Sequence, residues 1–160
     1  MKRDPVLWAV GFLGVCLLGS MGYYLHDLDP IPLAAQLTFS RESFNGVLSN
    51  WSADQVQRFK HHFAVDYVFL VVYGVFGWLL ARRLASQRNV IQGARLLPWL
   101  LPAAAAFDCV ENLLHQVFTS HPDEMASGLY TLAGTASLVK WSLSAVFGLL
   151  SGRAWRQNAA

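Results

Sequence analysis

Residues 96–118 read LLPWLLPAAAAFDCVENLLHQVF, twenty-three residues with two acids and no lysine or arginine. A helix needs about 20 apolar residues to cross about 30 Å of hydrocarbon. This stretch is long enough, yet it carries Asp108, Glu111, Asn112 and His115. Their spacing is i, i+3, i+4 and i+7, which is one face of a helix. A helix that is apolar except for one polar stripe belongs inside a bundle of others. The fold therefore turns on whether the rest of the chain supplies those partners.

It supplies three. Val6–Leu25, Phe63–Ala81 and Ser127–Leu150 are the other apolar segments of spanning length. Lipid cannot satisfy backbone polar groups, so the spans must be helices, and no ten-residue alternation points to a barrel. The expected fold is all-α: a four-helix integral membrane bundle forming one domain over residues 1–160. A short helical segment is expected outside the membrane between the first and second spans.

Composition agrees. The chain is 54% hydrophobic and 14% charged, against about 25% charged in a soluble domain. That excludes a soluble enzyme, a disordered chain and a nucleic-acid-binding module. Of the 22 charged residues, all but Asp66, Asp108, Glu111 and Lys140 lie outside the four spans.

Those outer charges set an orientation. Lys2, Arg3, Arg82, Arg83, Arg88, Arg95, Arg153 and Arg156 share one side with Asp4 as the single acid. The other side holds Asp27, Asp29, Glu42, Asp54, Asp123 and Glu124 against Arg41, Arg58 and Lys60. The positive-inside rule then places both termini in the cytoplasm, in the plasma (inner) membrane. Lys2-Arg3 followed by an apolar run ending near Ser20 and Gly22 also has the shape of a signal peptide, but the run is long for one. An uncleaved first span is the reading taken. Cys16 and Cys109 show no redox spacing and read as small buried thiols.

Outside the spans, Pro30 and Pro32 keep the start of the 26–62 connection extended, and Leu33–Phe39 is expected to be a short interfacial helix. Ser52-Ala53-Asp54-Gln55 has the capping-box pattern, so the second helix should start early and run unbroken into the membrane. Pro98 and Pro102 are expected to bend the third span, and Ala103–Ala106 to allow close packing. Gly11, Gly14, Gly19 and Gly22 should serve helix contacts or a homo-oligomer.

The intramembrane charges carry the functional reading. Each costs about 2.5–3.5 kcal/mol at mid-bilayer even on lenient scales, so they should face one another. Asp108 lies about 15 Å from the outer end of its helix, at 1.5 Å per residue, and Lys140 has a similar depth. They are the expected ion pair. On the second helix His62, Asp66 and Tyr73 share a face; on the fourth, Ala133, Ser137, Lys140, Ser144 and Gly148 form a stripe of small and hydroxylated residues around the lysine. The resulting picture is a polar funnel opening outward and closed by the ion pair.

Three carboxylates against one lysine exceed what a register-fixing pair needs. Carboxylates withdrawn from water suit proton transfer near neutrality. The reading placed first is an acid–base enzyme acting on a lipid or other apolar substrate. Asp66 and Glu111 act as acid and base, oriented by Asp108 and Lys140, and Asn112, His115, Tyr73 and Ser137 contact the substrate. A metal-assisted version would use a divalent ion on His62, Asp66, Glu111 and His115. Haem is not expected, since no histidine lies at the midplane. The alternatives are an oligomeric proton or small-cation transporter and a non-enzymatic protein holding a lipid or cationic ligand. Membrane lipids are the expected partners.

Overall fold

The computed structural model describes residues 4–85, 95–121 and 125–159. Among them are six helices: α1 (Pro5–Tyr24), α2 (Pro32–Gln36), α3 (Arg41–Leu48), α4 (Ala53–Ala85), α5 (Leu97–Ser120) and α6 (Ser127–Ala159). The architecture is all-α. Lys2, Arg3, Arg88, Asp123 and Glu124 lie outside the described residues, and with them part of the charge asymmetry.

Local chemistry explains the boundaries. Asp4 Oδ1 accepts from the Leu7 amide (3.3 Å) and Pro5 opens α1. The capping box at α4 is formed in both directions: Ser52 N donates to Gln55 Oε1 (2.8 Å) and Gln55 N to Ser52 Oγ (3.2 Å). From there α4 runs 33 residues without a break. Pro98 sits in the first turn of α5, where no amide is needed, while Pro102 lies inside the helix.

Three helices are long and apolar enough to cross a membrane by length and composition: α1, α4 and α6. The fourth expected span, α5, is not among them. Its polar stripe lowers its mean hydropathy, and the packing accounts for that composition. Helix α5 lies between α4 and α6, its two main neighbours, and α1 packs chiefly on α4. Asp108, Glu111, Asn112, His115 and Thr119 are all buried in these contacts. The opposite face of α5, with Trp99, Phe107, Val110 and Leu113, is apolar and exposed, so the helix is amphipathic with its polar stripe inward.

Glycine sets the closest approaches. A Cβ at Gly77 would collide with the Leu101 side chain, and one at Gly74 would lie 3.6 Å from Ala105 and 3.7 Å from the Pro102 backbone. Helices α4 and α5 therefore cross tightly at Leu101–Ala105. Gly11 and Gly14 face Phe76 and Val72 of α4, whereas Gly19 and Gly22 have nothing within 4 Å. The first pair makes helix contacts; the second pair does not.

Two apolar clusters bracket the polar residues. One joins Ala81, Leu84, Leu97, Leu101, Ala104, Phe147 and Ala154. The other is aromatic, at the end carrying α2 and α3: Phe44, Trp51, Phe59, Phe63, Phe118 and Tyr130, with Leu25 and Leu28. The connection from α1 to α4 is thus built into the core. It contains α3 as well as the expected short helix, which runs Pro32–Gln36. Ser40 caps α3 (Ser43 N to Oγ, 3.2 Å). Phe44 of α3 is fully buried, and Arg41 binds the Met125 carbonyl.

A candidate polar site at the floor of a cleft

The i, i+3, i+4, i+7 face of α5 points at α4 on one flank and α6 on the other. Lys140 Nζ of α6 lies 2.6 Å from Asp108 Oδ1 and 2.7 Å from Glu111 Oε2. The lysine is therefore held between two carboxylates one helical turn apart. Only the Asp108 contact is aligned as a hydrogen bond; Glu111 is held by charge. The other oxygen of Asp108, Oδ2, accepts from Tyr73 OH of α4 (3.2 Å). Asn112 Nδ2 donates to Asp66 Oδ2 (2.7 Å), and Gln116 Nε2 to Tyr67 OH (2.8 Å). Charge-assisted contacts of this length are strong where water is scarce.

Glu111 is wholly buried behind the lysine, and His115 Nδ1 stands 3.8 Å from its Oε1. Among the described residues His115 Nε2 has no hydrogen-bond partner. The ring is packed in aromatics instead: Phe44 stacks on it at 5.1 Å, with Phe59 and Phe118 beyond at 6.4 and 6.1 Å. His62 bonds through Nδ1 to the carbonyl of Phe59. Ser137 is fully buried and donates to the Ala133 carbonyl (3.1 Å).

A cavity of about 570 Å³ reaches this layer. Its floor is His62, Asp66, Phe69 and Tyr73 of α4, Asp108 of α5 and Lys140 of α6. One wall is α1, with Leu18 and Met21; the other is α6, with Trp141 and Ser144. Leu18 and Trp141 are half exposed, so the cleft opens sideways between α1 and α6. Ile31, Pro32 and Gln36 roof it, and Trp141 Nε1 donates to Gln36 Oε1 (3.3 Å) from wall to roof.

This geometry changes the expected funnel. The aromatic cluster around Phe44 packs on His115 at one end of the polar layer, and the cleft reaches that layer beside it. Asp66, Asp108, Lys140 and Tyr73 line the cleft. Glu111, Asn112, His115 and Ser137 stand behind them and do not, so the expected pairing of Asp66 with Glu111 as acid and base is not what faces the opening. The expected metal set is not assembled either. Asp66 is turned to Asn112 and His62 to the Phe59 carbonyl, and among the described residues no three His, Cys, Asp or Glu side chains group as a metal site. The lining residues Phe69, Trp141 and Gln36 were missed. Phe69 follows Asp66 by three residues on the same face of α4, which the spacing alone would have shown.

No family model, no curated protein and no solved structure matches this chain. Its function must be argued from the site.

Proposed function

We propose that this chain is a four-span protein of the plasma (inner) membrane with both termini in the cytoplasm. On this reading it admits a lipid or other apolar amphiphile sideways into the cleft and performs acid–base chemistry on the occupant's polar group. One observation carries the proposal: an apolar-walled cleft, open between two membrane-length helices, ends on Asp66, Asp108, Lys140 and Tyr73. Its volume is in the range of pockets that enclose a single small molecule.

The roles follow from what each group is free to do. Asp66 has one oxygen tied to Asn112, and no cation pairs with it among the described residues. It is the group able to take or give a proton at the cleft. Lys140 is fixed by two carboxylates, so it anchors the Asp108 carboxylate at the cleft rather than offering a free positive charge to an occupant. Asp108 holds both Lys140 and Tyr73 and is a positioning residue, as is Asn112 for Asp66. Exposed apolar residues such as Phe12, Val15, Trp99 and Leu149 would face lipid. Helix α5 would be the fourth span, with its polar stripe turned to α4 and α6 and its apolar face, Trp99 included, toward lipid.

The transport reading draws less support, since the aromatic cluster lies across the polar layer at the α2–α3 end. A holding protein without turnover is the second reading, favoured by Asp66, the carboxylate at the cleft that no cation pairs among the described residues. The test is reconstitution of the full chain into liposomes of a total polar lipid extract, followed by mass spectrometry of the lipids. The expected result is a lipid whose level changes with time for the wild type and not for Asp66→Asn. Lipid composition identical with both proteins would overturn catalysis on membrane lipids.

A further inference from the structure

The cleft has a formal charge bias that the acid–base reading leaves unused. The lysine at its floor is matched twice, by Asp108 at 2.6 Å and Glu111 at 2.7 Å. The carboxylate of Asp66 is matched by an amide alone. Beside Asp66 on the same face of α4 stand the rings of Phe69 and Tyr73, with centroids 5.1 Å apart and planes at 54°. A carboxylate next to aromatic faces is the combination that recognises an alkylammonium, by charge and by cation–π attraction. An anionic head group finds no free lysine or arginine among the described lining residues. Lys140 is committed, and His26 at the rim bonds through Nδ1 to the Tyr23 carbonyl (2.6 Å).

We propose that the cleft selects an amphiphile whose head group is a positively charged amine, held by Asp66 with Phe69 and Tyr73, and whose apolar tail lies between α1 and α6. This rests on the proposed occupancy of the cleft by an amphiphile and names its class. Phosphate and carboxylate head groups are selected against, because they would meet Asp66 and Asp108 with no unpaired cation to offset them.

The test uses the purified full chain in an uncharged maltoside detergent and three probes with one tail: dodecyltrimethylammonium, dodecanol and dodecyl phosphate. Thermal melting is followed against probe concentration for wild type, Asp66→Asn and Asp66→Glu. Asp66→Asn keeps an oxygen for Asn112, and Asp66→Glu keeps the charge. The expected result is saturable stabilisation by the ammonium at a concentration roughly tenfold below that for the alcohol, with none from the phosphate. The preference should vanish in Asp66→Asn and persist in Asp66→Glu. Equal saturable binding of all three probes, or a preference that survives Asp66→Asn, overturns the amine assignment and leaves the amphiphile cleft standing. Failure of every probe to saturate overturns both.

Discussion

Replacing Lys140 by methionine is the sharpest perturbation of the buried layer. The side chain is nearly isosteric, so packing is largely kept. What is lost is the charge that holds Asp108 and Glu111, whose side chains are 9% and 0% exposed. Breaking a buried pair by removing one partner costs about 3–5 kcal/mol, because the other charge stays buried without compensation. Here two carboxylates are stranded, so the upper part of that range is expected. Domains are stable by about 5–15 kcal/mol in total, so the variant should be close to unfolding. Adding Asp108→Asn and Glu111→Gln removes the stranded charge and should bring stability back to within about 2 kcal/mol of wild type. The assay is reversible unfolding in mixed micelles, read by circular dichroism, for the single, double and triple variants. A loss below about 1 kcal/mol for Lys140→Met, or no recovery in the triple variant, would refute the view that this lysine neutralises the layer.

Three further outcomes are expected. In a background with Cys16 and Cys109 replaced by serine, a cysteine at Ser49 should react with an impermeable maleimide in intact cells and one at Arg156 only after lysis; the reverse pattern rejects the orientation. Arg58 donates two hydrogen bonds to Asp27 (2.8 and 2.7 Å), and these bonds hold the Asp27 carboxyl below its ordinary value of 3.8. A depressed folded value adds stability above the ordinary one, which is lost as pH falls through the folded value. Melting temperature should therefore drop between about pH 4 and lower pH more steeply for wild type than for Asp27→Asn, and parallel curves count against the pair. Gly77→Ala should destabilise by about 1–3 kcal/mol through overpacking on Leu101, and Leu101→Ala in the same chain should relieve part of it; additive losses would show that the two do not meet.

The sequence made the polar layer legible because its information is periodic. Asp108, Glu111, Asn112 and His115 repeat at helical spacing, and rise per residue places Asp108 level with Lys140, which it meets at 2.6 Å. The capping box at Ser52 was equally readable, since Ser52 and Gln55, three residues apart, bond each other. What was hidden depends on contacts between distant segments. That α1 rests on α4 and leaves a cleft beside α6 is a matter of which surfaces fit, and periodicity within one helix does not encode it. Helix α3 did leave a local trace. Ser40 and Glu42 precede Phe44, Val47 and Leu48 at i, i+3 and i+4, a cap and an apolar stripe broken by Gly46. The expected fourth span lies between these cases, because mean hydropathy averages the buried polar stripe of α5 with its exposed apolar face.

The sideways opening of the cleft also fixes how its occupancy should be measured. With the half-exposed Leu18 and Trp141 on facing walls, the cleft can be approached from the surface between α1 and α6. On the proposed membrane placement, an occupant arriving that way would be drawn from a two-dimensional solution. Half-saturation should then follow mole fraction in the bilayer or micelle rather than molarity. Diluting a fixed amount of ligand with inert lipid should empty the site, while diluting the whole suspension with buffer should not.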